Sequence, residues 1–234
     1  MNHKNEKDRI YKVYENYSKN RSFTKKWSPN NIGNKLINIE LKENIIEILK
    51  ENKILIKNKN ILDIGCASGN KIKLLSEIGF NKSKIFGVDL RNNSIDKAKK
   101  KSPASHFFVM DARELLFEDN KFDFINIFTL FSSIQGKNNR RKVCHEISRV
   151  LKPDGIILYY DLRYGNPFNP NIFPINKKEI NKLFSGFKII MKEITLLPPF
   201  ARILGRFTSF LYPLFSKIAV FKTHFFCVMI NKIN

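Results

Sequence analysis

At 234 residues the chain is long enough for one α/β domain with a full core and too short for two of that kind. Its 42 Lys and Arg against 21 Asp and Glu give a formal net charge of +21, which favours anionic surroundings such as nucleic acid, a phospholipid surface or a phosphorylated acceptor, although a solvated lysine surface needs no partner. Cys66, Cys144 and Cys227 are far apart and form no C-x-x-C pair, which argues for reduced thiols in a cytoplasmic protein and against a zinc site. No uncharged apolar run approaches the ~20 residues of a membrane-spanning helix, and residues 1–12 lack the apolar core of a signal peptide.

Residues 1–40 are polar and aromatic, with Phe23 and Trp27 among Lys and Asn, and Tyr11, Tyr14 and Tyr17 recurring at every third residue, near one face of a short helix. Aromatic stripes are usually core, so the expectation is a helix that packs its rings on the sheet. Ser28-Pro29-Asn30-Asn31 marks a turn, and the apolar spacing of 36–49 predicts an amphipathic helix.

The stretch from Lys59 to Lys71 carries most of the chemistry. An apolar run, Ile61 to Ile64, breaks into Gly65, a turn of small residues and Gly69, and the helical pattern Ile72, Leu74, Leu75, Ile78 follows. This reads as strand, tight turn and helix, with glycine letting a ligand approach the backbone and the free N–H groups of the next helix facing it. Roughly twenty residues on, after a strand over 84–88, stands Asp89, where nucleotide-binding folds place the acid that accepts ribose hydroxyls. Asp111 follows a third strand, 106–110, and an acceptor there can take an adenine amino proton. A G-x-G-x-x-G template started at Gly65 meets Ala67 and Asn70, so a dinucleotide fits badly and a cofactor without phosphates is favoured.

Helices are expected at 69–79, 93–101, 140–151 and 177–184, and further strands at 124–129, 156–160, 187–195 and 224–230. Such alternation implies a Rossmann-like, mostly parallel α/β sheet with helices on both faces and ligands at the strands' carboxyl ends. Residues 131–135 and Asp161 follow the fourth and fifth strands, and Asp161 is the candidate catalytic residue facing the acceptor, weighed against a loop cap involving Arg163. Of the histidines, His145 is expected in solvent, and His3, His106 and His224 show no catalytic partner.

Residues 196–221 hold Pro198, Phe200, Arg202, Leu204, Arg206, Phe207, Phe210, Tyr212, Leu214, Phe215 and Lys217, far more than a hairpin needs. They read as a helical cap over the acceptor pocket or a dimer face, or as a basic aromatic surface resting on an anionic membrane.

Ile61-Leu-Asp-Ile-Gly-Cys-Ala-Ser-Gly69, Gly87-Val-Asp-Leu90, Met110-Asp-Ala112, Phe122-Asp-Phe124 and Leu151-Lys-Pro-Asp-Gly155 together resemble the successive motifs of class I S-adenosylmethionine-dependent methyltransferases. The resemblance implies seven strands, the last two forming an antiparallel pair, and S-adenosylmethionine as cofactor with no metal. It puts Asp63, Gly65, Cys66, Ala67 and Gly69 at the methionine end, Asp89 and Leu90 at the ribose, Asp111 and Ala112 at the adenine, and Phe128 beside the reacting methyl group. The segment before the core often folds over cofactor and acceptor in this family, and the middle glycine of its turn is Ala67 here. One domain is expected, comprising a helical cap (1–44), cofactor core (45–195), insertion (196–222) and last strand (223–234). The 131–134 stretch, the loop from Tyr160 to Pro167 and the 202–222 tail look similar to bacterial methyltransferases placed with surface-polysaccharide genes, which implies a small-molecule, sugar or lipid-linked glycan acceptor. An RNA acceptor, motivated by charge, and a non-catalytic cofactor-binding protein are the alternatives.

Overall fold

The computed structural model describes residues 3–166, 169–203 and 207–232. Pro167, Leu204 and Arg206, named above, lie outside them.

Short apolar runs separated by amphipathic ones have no strand partner next to them in sequence, so they pair through crossovers. The strands are β1 (Ile61–Ile64), β2 (Ile85–Asp89), β3 (His106–Val109), β4 (Phe122–Phe128), β5 (Leu151–Leu162), β6 (Phe187–Leu196) and β7 (Lys222–Asn231). They form one sheet in the order β3-β2-β1-β4-β5-β7-β6. The pairs from β3 to β5 are parallel, and β7 runs antiparallel to both β5 and β6. This is the Rossmann-like, seven-stranded, mostly parallel sheet anticipated, with its last strand reversed.

Helices cover both faces. Those on one face are α3 (Ile32–Glu51), α4 (Ile72–Ile78) and α5 (Asn92–Lys101), which enclose a core with Leu41, Ile45, Leu75, Ile95, Phe124, Leu158 and Phe226. The other face carries α6 (Lys137–Val150) and α7 (Lys177–Leu183), packed on Leu62, Ile125, Tyr159, Phe184 and Met229. Alternation along β5 assigns Ile157 and Tyr159 to one core and Leu158 and Tyr160 to the other. Connections leave β1 and β4 toward opposite faces, so a crevice opens between these neighbours at their carboxyl ends.

Two local features set element lengths. α3 starts four residues before its apolar pattern because the Asn31 side chain accepts the Asn34 N–H and caps it. α4 starts three residues late because Gly69, at φ 68°, still belongs to the turn.

The remaining helices are α1 (His3–Lys19), α2 (Arg21–Lys26), α8 (Pro198–Ile203) and α9 (Thr208–Phe215). The last two fill the connection between β6 and β7 and pack on α3, with Ala201 and Tyr212 buried beside Ile37 and Leu196. At Gly33 the backbone of α3 meets the Ala201 carbonyl so closely that a Cβ would collide with it. The insertion is thus a helical cap strapped to α3.

Candidate functional site

Beyond β1 the backbone turns through three left-handed positions, Gly65 (φ 76°), Ala67 (φ 48°) and Gly69 (φ 68°). The two glycines adopt these without penalty, whereas Ala67 carries a cost of roughly 1 kcal/mol. The amides of the turn itself are answered within the protein. Gly65 and Cys66 both donate to the Val88 carbonyl, Ala67 to Asp89 Oδ2 at 3.0 Å, and Gly69 to the Cys66 carbonyl. Backbone groups left in a partly buried turn find partners within the protein, and here the strand beside them supplies those partners. The Cys66 thiol also turns inward, against the bare backbone of Gly87, and is buried, so the side chain itself does not face a ligand.

Asp63 closes β1. Its Oδ1 accepts the amide of Asn126 at 2.5 Å, and its buried Oδ2 has no partner among the described residues. Burial pushes the carboxyl up to about 6, against the opposing pull of Asn126 and of the Lys71 ammonium. An orphaned carboxylate oxygen at a strand's carboxyl end suits a cation, and the ammonium of a methionine moiety is one. Asn126 carries no motif of its own, and only the pairing of β1 with β4, which sets Asp63 against Asn126, reveals it.

Asp89 and Asp111 share a second arrangement that sequence reasoning missed. Arg91 donates its own N–H, Nε and Nη2 to Asp89 at 2.9–3.2 Å. Arg113 does the same to Asp111 at 2.6–3.2 Å. Each arginine stands two residues after its acid, a spacing that closes a compact turn. A hydroxyl ligand at Asp89 would therefore meet a carboxylate already engaged by a guanidinium. Leu90 and Ala112 occupy the next positions, the former half-buried and the latter packed against the core.

Helix α1 spans the mouth of the crevice instead of laying its rings on the sheet. Tyr11 donates to the Leu90 carbonyl after β2, Tyr14 shares a hydrogen bond of 3.0 Å with Ser133 after β4, and Tyr17 bonds Asn169 after β5. Glu6 accepts the Gln135 N–H at 2.9 Å and pairs with Arg9, which donates to the Ser133 carbonyl. The Arg91 guanidinium stacks on the Tyr14 ring at 4.1 Å. Polar hydroxyls on an every-third-residue stripe reach three loop tips at once, which a core-packing helix would not allow. The arrangement is a lid over the carboxyl edge.

Phe128 ends β4 and packs edge-on to Tyr160, with the Lys71 ammonium 5.8 Å from its ring centre. Asp161 is fully buried. Its Oδ2 accepts the Ser132 N–H at 3.1 Å and its Oδ1 the Leu162 N–H at 2.8 Å, and burial raises its pKa against these bonds. It caps the 131–133 turn with backbone partners, while Arg163, the expected partner, pairs with Glu193. The carboxyl does not reach the crevice in this arrangement.

His224 has a structural setting. It is buried, stacked flat on Tyr160 at 4.5 Å, and bonded through Nδ1 to Thr223 Oγ1. Tyr160 bonds Thr195 Oγ1 at 2.8 Å, and Glu40 accepts the Thr195 N–H and the Tyr212 hydroxyl. Thr195 itself has φ 71°, costly for a β-branched residue. His145 is exposed as expected.

Asp63 generates a pH dependence whose sign is determined. Its folded pKa of about 6 lies above the ordinary carboxylate value, so its contribution to stability is fully present below about 4 and is lost as pH rises through about 6. Asp63→Asn should therefore be more stable than the parent at pH 8, on the order of 3 kcal/mol, with the difference closing toward pH 4. Urea unfolding at both pH values checks this; a parent as stable at pH 8 as the variant would contradict it.

The family described as methyltransferase domain matches residues 62–159. The demethylmenaquinone methyltransferase of Staphylococcus saprophyticus is 30% identical over 133 residues, 56% of this chain and 52% of that protein. The malonyl-[acyl-carrier protein] O-methyltransferase of Buchnera aphidicola is 28% identical over 165 residues, 65% of this chain and 64% of that one. The chain thus spans about half to two thirds of the length of these relatives. In the solved structures, a SAM-dependent methyltransferase of Methanosarcina mazei shares the fold at a TM-score of 0.59 and 19% identity, covering 79% of this chain and 98% of that one. Sheet order, the acid near each of three successive strand ends and the matched segment agree, and residues 62–159 are similar to a methyltransferase domain.

Proposed function

We propose that this chain transfers the methyl group of S-adenosylmethionine to a small-molecule, sugar or lipid-linked acceptor. The observation that carries the reading is the buried, unpartnered Oδ2 of Asp63 beside a left-handed glycine turn, with Asp89 and Asp111 at the two neighbouring strand ends. In this reading Asp63 holds the methionine ammonium, Asp89 the ribose hydroxyls once Arg91 yields, and Asp111 with the Ala112 N–H the adenine. When bound, the sulfonium supplies an electrophilic methyl group and leaves as a neutral thioether. The chain's own task is then alignment and exclusion of water, and positioning alone contributes ~7 to 11 kcal/mol. Helix α1 supplies the cover, and the 131–133 turn capped by Asp161 supplies the floor beside Phe128. We assign Asp161 a positioning role through that turn.

The relatives act on a quinone precursor and on an acyl-carrier-bound acid, which supports a small or carrier-linked acceptor without selecting one. An RNA acceptor rests on the charge of +21 alone. Peripheral contact with an anionic membrane has a specific observation behind it. Phe207, Phe210, Leu214 and Val220 stand 56–77% exposed on the insertion, beside exposed Lys217.

Three outcomes are expected. In calorimetry with S-adenosylhomocysteine, Asp89→Ala should weaken binding about tenfold or more, and Arg91→Ala should strengthen it, because the competing ion pair is gone; unchanged affinity in both variants would remove Asp89 from the cofactor site. Asp161→Asn should lower kcat with the KM for the methyl donor held, measured by methyl uptake into lipid, glycan and RNA fractions of an extract; a variant that keeps full turnover would take the turn out of the mechanism. Flotation with vesicles containing phosphatidylglycerol should carry the protein upward, and Phe210→Ser with Leu214→Ser should leave it at the bottom. Parent protein that stays at the bottom at physiological salt would end the membrane reading.

A further inference from the structure

At the carboxyl ends of β4 and β5 and the start of β7 lies a set of groups that no family motif accounts for. Phe128, Tyr160 and His224 form a ladder of rings, one from each strand, with centre separations of 5.8 Å and 4.5 Å. A cation stands toward each end of it. The Lys71 ammonium approaches the Phe128 ring at 5.8 Å and hydrogen-bonds Asn38 Oδ1 at 2.6 Å. The Arg202 guanidinium, delivered by the insertion, donates to Asn34 Oδ1 at 2.7 Å and lies 3.9 Å from the Trp27 ring centre.

Among the described residues neither cation has a carboxylate within ion-pair distance, whereas Arg91, Arg113, Arg140, Arg149 and Arg163 each have one. The carboxylates nearest the ladder are committed elsewhere or stand off. Glu40 accepts from Thr195 and Tyr212, Asp161 is enclosed by its backbone donors, and Asp63 draws on Lys71 only at longer range. Burial depresses both cations, Lys71 to about 8 and Arg202 to about 10. Burial and then the two cations hold the His224 imidazole down at about 3, so it remains neutral. Two half-buried cations answered only by neutral amides and aromatic rings make a poor arrangement unless an anion completes it.

We propose that Lys71 and Arg202 form the anion-binding pair of the acceptor site, and that the acceptor is a small amphiphilic acid whose carboxylate or phosphate lies between them, beside the buried Phe128–Tyr160–His224 ladder. The proposal rests on the methyltransferase reading for the name of the site, and it makes Arg202 a determinant of specificity that belongs to the insertion and not to the cofactor core.

The chain's single tryptophan, Trp27, reports on this directly because it is stacked on Arg202. Its fluorescence would be followed while the full chain is titrated with octanoate and octyl phosphate, and with the neutral isosteres octanamide and octanol, in the presence and absence of saturating S-adenosylhomocysteine. The acids should bind about tenfold more tightly than the isosteres. Arg202→Gln should abolish that preference while calorimetric binding of S-adenosylhomocysteine is retained, and Arg202→Lys, which keeps the charge, should retain the preference. Lys71→Gln should weaken acid binding with S-adenosylhomocysteine affinity held. If Lys71→Gln instead weakens S-adenosylhomocysteine and leaves octanoate unaffected, Lys71 serves the donor's own carboxylate and the pair is overturned. Isosteres that bind as tightly as the acids, or a preference that survives Arg202→Gln, would also overturn it. Failure of S-adenosylhomocysteine to bind the parent sinks the methyl-transfer reading alone, since the comparison of acids with isosteres is read independently.

Discussion

A carboxylate at the buried end of a parallel strand has lost most of its water, and something must answer its charge. Three successive strands of this sheet end in such a group, and the three answers differ. Asp89 and Asp111 are each gripped by an arginine two residues on, a partner that lies on a loop and can exchange with an incoming hydroxyl or amine. Asp63 is deeper, is met on one oxygen by an amide and on the other by nothing, and responds by binding its proton more tightly. The crevice is thereby graded, from two acids held in reserve to one that waits for a cation.

The grading ties the lid to the site. Arg91 belongs at once to Asp89, through its hydrogen bonds, and to Tyr14 of α1, through stacking. A ligand that displaces the guanidinium from the acid also disturbs the contact that seats the helix, while Tyr11 and Tyr17 keep α1 moored at two other loops. One side chain therefore links the acid at the end of β2 to the cover.

The insertion between β6 and β7 works on the opposite flank. Its inner side is polar and tightly engaged: Tyr212 reaches Glu40 of α3, Arg202 reaches Asn34, and the chain enters it through the left-handed Thr195, whose amide Glu40 also holds. Its outer side leaves Phe210, Leu214 and Val220 in solvent. One segment thus presents a cation and a hydroxyl inward and apolar side chains outward. Strain at Thr195 is consistent with a connection whose path is dictated by what it must cover.

Periodicity and turn residues alone determined the strands, their alternation with helices and the placement of Asp89 and Asp111 after strands, because strand and helix periods and left-handed glycine turns are local properties of the chain, while the role of Asp63 came from the family resemblance. Most strand bounds shifted by only a residue or two, β5 being the chief exception, since its ends depend on partners β4 and β7. Contacts over long separations were decided by tertiary structure. Asn126 beside Asp63, the tyrosines of α1 on three distant loops, and the meeting of Lys71, Arg202 and His224 join positions between 22 and 153 residues apart that carry no mutual sequence signal. Asp161 shows the same division: its position at the carboxyl end of the fifth strand was readable, but whether its carboxyl faced an acceptor or the Ser132 amide depended on how the neighbouring turn folds over it. Burial and partner choice are properties of the packed molecule, and a one-dimensional pattern identifies the groups without saying which of them will be left unanswered.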